Sequence, residues 1–78
     1  MSNKEKLIDI FMKTFGLTPE EAEGAVFKDT PAWDSVGHVN LMNAVEETFD
    51  VSLDADDILD FKSFNIGKEI LKKYGVEF

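Results

Sequence analysis

Leu7, Ile8, Ile10, Phe11, Met12 and Phe15 recur at helical spacing and predict an amphipathic helix over about Asn3 to Phe15. Asn3 is the expected N-cap, Lys13 falls in the last turn, and Gly16 stands where the helix stops. Thr18-Pro19-Glu20-Glu21 is a second start signal, with Thr18 as cap, Pro19 at the first helical position and Glu21 closing a capping box. Only a short helical turn is expected there, ending near Gly24. Residues 25–34 read as loop, pinned to the core by Ala25, Val26 and Phe27, and Pro31 disfavours helix at Thr30.

A second principal helix is expected from Ser35 or Val36 to Phe49. At about 100° per residue, Leu41, Val45 and Phe49 share a stripe, with Met42 and His38 at its margins. Val36, Asn40, Asn43 and Glu47 fall on the opposite face, so Val36 is an apolar residue pointing away from the core. Val51 and Leu53 form an extended connection that packs inward. Asp54 is the expected cap of a short helix over about Ala55 to Asp60 that buries Ile58 and Leu59. Ser63 caps a last helix, about Phe64 to Tyr74, with Phe64, Ile66, Ile70, Leu71 and Tyr74 inside, Lys72 and Lys73 on its C-terminal dipole and Gly75 ending it. Strand signals are absent. The predicted fold is all-α, a small four-helix bundle of three principal helices and one short helix, with a long loop between the first two principal helices. Phe11, Phe15, Phe27, Phe49, Phe61 and Phe64 are its expected large core residues.

The length, 78 residues, fits one small domain over residues 1–78. With no cysteine, disulfides, thiolate metal sites and a cysteine nucleophile are excluded. No apolar run approaches the ~20 residues of a membrane span. Met1-Ser2-Asn3-Lys4-Glu5 turns polar at once and has no signal-peptide core, so a soluble cytoplasmic protein is expected. Net charge is −8, and all eight basic residues are lysine. That balance disfavours nucleic acid and anionic membranes and favours partners with basic patches. From Asp29 to Phe61 there are nine acids and no lysine, a one-signed run that suggests an electrostatic docking face.

Trp33-Asp34-Ser35-Val36-Gly37-His38 places a serine where the second principal helix begins. Serine or Asp34 there serves as a helix cap, and the exposed N–H groups and partial positive charge of a helix start also tolerate a phosphate on the hydroxyl. Self-contained catalysis is not expected. His38 is the only histidine and lies on the inner side of the helix, and a Ser-His-Asp hydrolase needs an oxyanion hole and a substrate pocket on a larger scaffold. Modification of Ser35 by another enzyme fits better.

Asp34-Ser35-Val36 resembles the phosphopantetheine attachment motif Asp-Ser-Leu of acyl carrier proteins, with valine in place of leucine. The resemblance runs through almost the whole chain. Glu46-Glu47-Thr48-Phe49-Asp50-Val51-Ser52-Leu53 is similar to the family's exit from the motif helix, and Ile58 to Tyr74 to its short third and longer fourth helices. It implies that a phosphopantetheinyl transferase, using coenzyme A and magnesium, attaches 4′-phosphopantetheine to Ser35. The arm's thiol, which this chain does not encode, would hold acyl groups as thioesters for delivery to successive partner enzymes. The resemblance thus implies a monomeric carrier, not an enzyme.

In that family the motif helix docks on basic patches, which here assigns partner recognition to Asp34, Val36, Asn40, Asn43, Glu46 and Glu47. Gly37 and Asn40 stand where fatty-acid carriers often have acids. Gly37 either admits close approach of a partner's backbone or is tolerated near a frayed helix end. Trp33 and Val36-Gly37-His38 look more like stand-alone carriers of specialised pathways. The bundle either opens to shelter an acyl chain or is filled by its aromatics. An aminoacyl or peptidyl carrier, or an unmodified acidic helical adaptor, are the alternatives. An EF-hand is excluded: a loop starting at Asp54 puts Ile58, Leu59 and Asn65 at positions 5, 6 and 12, and one starting at Asp50 puts Ala55 and Phe61 at positions 6 and 12. No metal site is expected beyond loose divalent binding that relieves repulsion.

Overall fold

The protein is described by a computed structural model covering residues 1–78. It is all-helical: α1 (Asn3–Phe15), α2 (Pro19–Glu23), α3 (Ser35–Phe49), α4 (Ala55–Asp60) and α5 (Phe64–Lys73). Its ordering signals are mostly local. Thr18 and Glu21 form the expected capping box on α2, and Ser63 Oγ accepts the Ile66 N–H at the start of α5. Gly16 closes α1 in the left-handed conformation at φ 68°, where a Cβ would be strained. The cap of α1 differs from expectation. Ser2, not Asn3, is the N-cap, because Ser2 and Glu5 make a reciprocal capping box. No helix is long and apolar enough to cross a membrane.

α1 packs on α2 and α3, and α2 meets α5. Leu7, Ile10, Phe11 and Phe15 of α1 and Leu41, Met42 and Val45 of α3 belong to one buried cluster. Phe61, Phe64, Ile70 and Leu71 extend it through α5. Phe11 is its aromatic hub, edge-on to Phe15, Trp33 and Phe64 at centroid distances of 5.9, 5.3 and 5.3 Å. Full burial of side chains this size contributes ~1.5–3 kcal/mol each. Phe27 and Phe49 are only half-buried, as are Ile8, Met12 and Tyr74. Gly67 is buried because the Phe61 ring crosses α5 there: a Cβ would lie 2.3 Å from Phe61 Cζ.

Three residues expected to face the core lie outside it, Val26 among them. Leu59 is 66% exposed and Ile66 is 44% exposed. The buried residue of α4 is Asp57, with Ile58 half-buried, because this short helix is tied to its neighbours by polar groups rather than by an apolar stripe. The long connection between α2 and α3 is anchored by backbone. Phe27 N–H donates to Lys62 O (2.8 Å) and Phe64 N–H to Ala25 O (3.0 Å). Val26 makes an isolated antiparallel bridge with Ser63 while its side chain stays exposed; only Ala25 and Phe27 turn inward.

Candidate functional site

The loop before α3 is built from linked turns. Thr30 takes the Val26 N–H on its Oγ1 (3.0 Å) and returns its own N–H to Val26 O (2.9 Å). Trp33 N–H then donates to Thr30 O (3.1 Å) across Pro31, and Lys28 N–H to Trp33 O (3.1 Å). Lys28 and Ala32 complete these turns at φ 72° and 71°. The loop ends in Trp33, whose side chain is fully buried. The indole stacks on Phe15 at 5.3 Å (20° between planes) and lies near-parallel to His38 at 6.2 Å (13°).

Trp33 also fixes His38. Its indole Nε1–H can only donate, and it meets His38 Nδ1 at 3.0 Å. Nδ1 is therefore the acceptor, and the proton sits on Nε2, which donates to Ile58 O at 2.7 Å. One imidazole thus ties the loop, α3 and α4 together. Both ring nitrogens are engaged, so His38 has no link to the Ser35 hydroxyl.

Asp34 is the N-cap of α3: its Oδ1 accepts the Gly37 N–H (3.0 Å) and its carbonyl the His38 N–H (2.8 Å). Ser35 is the first helical residue and is exposed. With the capping bond supplied by Asp34, the Ser35 hydroxyl has no part in starting the helix. The amides of Ser35 and Val36 have no backbone acceptor, and a 15-residue helix stands behind them. The close backbone approach at Gly37 is internal rather than a partner's. Gly37 is buried, and a Cβ there would lie 2.0 Å from Ala32 O and 3.0 Å from Phe15 Cε1.

Val36, Asn40, Asn43 and Glu47 are exposed on the outer side of α3, as is Asp34 at its start. Val36 is 71% exposed. Val39 and Leu59 add exposed apolar surface that the periodicity did not assign outward. Glu46 does not join this face freely. It is half-buried, and its Oε2 accepts the Leu53 N–H at 2.8 Å, holding the chain where it leaves α3.

α4 is fastened at its far side. Asp57 accepts from Lys73 Nζ (2.6 Å) and from the Tyr74 hydroxyl, and that hydroxyl also accepts the Asp54 N–H (3.0 Å). Hydrogen bonds from Lys73 and then Tyr74 hold the Asp57 carboxyl below the usual carboxylate range. The same carboxylate raises Lys73 and Tyr74 above their ordinary values. One concavity is present, about 390 Å³ and lined by Lys72, Gly75, Val76, Glu77 and Phe78. It includes no residue of α3 or of the loop before it.

Sequence reasoning placed Ser35 but missed Trp33, His38 and Gly37 as the parts that position it. Trp33 and His38 are five residues apart across a loop–helix boundary, where no periodic pattern links them. Comparison with protein-family models, curated proteins and solved structures found no match to this chain.

Proposed function

We propose that this chain is an acyl carrier protein whose Ser35 bears 4′-phosphopantetheine. The observation that carries the reading is the exposed Ser35 hydroxyl at the first position of α3, behind an Asp34 cap that leaves it free. The residues there fit a phosphodiester. The Ser35 and Val36 amides, which have no backbone acceptor, and the positive end of α3 would favour a negative charge on that hydroxyl. When bound, the arm supplies a terminal thiol that carries acyl groups as thioesters. The chain's own residues would fix the helix start that carries it. Trp33 and His38 lock the loop and α3, and Gly37 lets the loop close on the helix. In this reading α1, α3 and α5 are the principal helices and α4 the short one of a carrier-type four-helix bundle. α2 then belongs to the long connection.

Val36, Asn40, Asn43 and Glu47, with Asp34, form the surface offered to basic patches on a transferase and on acyl-loading and acyl-transferring enzymes. Exposed ion pairs are worth ~0–1 kcal/mol each, which suits fast, weak docking by a shuttle. Tethering raises the effective concentration of the cargo at each docked enzyme. Glu46 contributes mainly by shaping the end of α3.

Incubating the full chain with coenzyme A, magnesium and a promiscuous phosphopantetheinyl transferase tests the proposal. Intact-mass measurement should show a gain of one phosphopantetheine on the natural chain and none on Ser35→Ala. A folded natural chain that stays unmodified would overturn it and leave an acidic helical adaptor in which Ser35 merely opens a helix. An aminoacyl or peptidyl carrier would share the modification and differ in which ligating enzyme loads it.

A further inference from the structure

The lysines outside the acidic run are not evenly used. Lys4, Lys13, Lys72 and Lys73 are paired with Glu23, Asp9, Glu69 and Asp57. Lys6, Lys28, Lys62 and Lys68 have no carboxylate within ion-pair distance, in a chain with twice as many acids as bases. The last three lie over aromatic rings instead. Lys62 and Lys28 sit 4.8 and 5.8 Å from the Phe27 centroid, and Lys68 5.5 Å from that of Phe64. The backbone joins these sites: Phe27 N–H donates to Lys62 O, Phe64 N–H to Ala25 O, and Val26 bridges Ser63. Val26 (42% exposed) and Ile66 (44% exposed) stand in the same neighbourhood, because Ser63 both bridges Val26 and caps Ile66. Glu23 and Glu69 are hydrogen-bonded and ion-paired with Lys4 and Lys72, which lowers their carboxyl pKa most, and the charge of Lys68 lowers each slightly further.

We propose that Lys28, Lys62 and Lys68, around Val26 and Ile66, form a second docking surface that takes an acidic amphipathic segment of a partner protein. An apolar centre with a polar rim is the usual make-up of a protein contact, and here the rim is positively charged. The charge is opposite to that of the α3 face, so a partner drawn to one surface is repelled by the other. A lipid bilayer is a poor occupant, because the rest of a chain of net charge −8 would face the same anionic surface. The lysines are held by the rings they cover, which lowers the ordering cost of binding. The proposal does not depend on the chemistry of Ser35. In a carrier it would let one protein hold the chain from this side while α3 stays free.

The probe is a 20-residue amphipathic peptide with glutamates on one face and leucines on the other, titrated into the full chain and followed by backbone amide shifts. Shifts should appear at residues 25–28 and 62–68 and fade with added salt. Lys62→Glu with Lys68→Glu should weaken binding by roughly tenfold at low salt, with the melting temperature confirming the fold. If that pair fails to fold, Lys62→Gln with Lys68→Gln serves, with a smaller loss. The lysine counterpart of the peptide should instead move residues 34–47. Four outcomes would overturn the proposal: no shift with the glutamate peptide, shifts indifferent to both variants, binding to phosphatidylglycerol vesicles but not to the peptide, or self-association of the chain through this patch in place of peptide binding.

Discussion

Gly37 shows how much of the site rests on a missing methyl group. A Cβ there would lie 2.0 Å from the Ala32 carbonyl oxygen, and that carbonyl belongs to a loop residue already held at φ 71°. A backbone carbonyl cannot swing aside as the end of a flexible side chain can. Glycine-to-alanine in a helix interior ordinarily gains up to ~1 kcal/mol. At Gly37 that gain is opposed by overpacking, which costs ~1–3 kcal/mol or more. Gly37→Ala is therefore expected to lose about 2 kcal/mol in urea unfolding. Gly24→Ala, whose nearest neighbour is 3.9 Å away, should change stability by less than ~1 kcal/mol. Equal effects at the two positions would refute the close approach. None of this was legible in the sequence. The spacing showed a glycine near a helix start, but the path of residues 25–34 decides what it touches. Trp33 was equally opaque, since a lone aromatic beside a polar motif reads as readily outside as inside.

Helices, by contrast, announced themselves through local chemistry. The Thr18–Glu21 box, the Ser63 cap and the Gly16 stop each depend on residues within four positions, so spacing sufficed. α4 failed that logic in an instructive way. Ile58 and Leu59 looked like its buried side because apolar residues usually anchor a short helix. Ile58 does pack against the core, but Leu59 faces out, and the other anchors are polar: Asp57 on Lys73 and Tyr74, Tyr74 on the Asp54 amide, and Ile58 O on His38. Those ties should titrate. Asp57 is depressed in the fold, so its contribution is complete above the usual carboxylate range and lost as pH falls through the lower folded value. Lys73 and Tyr74 are raised, so theirs is complete below their ordinary values and lost as pH rises through the folded ones. α4 is held best between those limits. Asp57→Asn should speed amide hydrogen exchange over Ala55–Asp60 near neutral pH while α1 and α3 exchange as before. It should also remove the acid step from the pH dependence of the α4 amide shifts. Exchange in α4 as slow as in the natural chain would mean that other contacts hold it.

Over the whole molecule, charge is segregated rather than merely abundant. Of the nine acids between Asp29 and Phe61, only Asp57 is in an ion pair. The protein measures 28 × 27 × 18 Å, so at 0.1 M salt, with a screening length of ~10 Å, neighbouring acids still repel. Helix polarity adds to that repulsion at the end of α3. α3 has no basic residue in its last turn, and Glu46, Glu47 and Asp50 crowd its negative end. Glu46 finds relief in the Leu53 amide; Glu47 is exposed and makes no ion pair. Millimolar magnesium should therefore raise the melting temperature above that in sodium chloride of equal ionic strength, since a divalent ion offsets clustered charge that simple screening leaves. Glu47→Lys should raise it without magnesium, by the ~0.3–1 kcal/mol of a cation at a helix C-terminus, and should blunt the response to the metal. Identical melting in the two salts would reject the repulsion argument. A magnesium response undiminished by Glu47→Lys would move its origin from the end of α3 to the acids of α4.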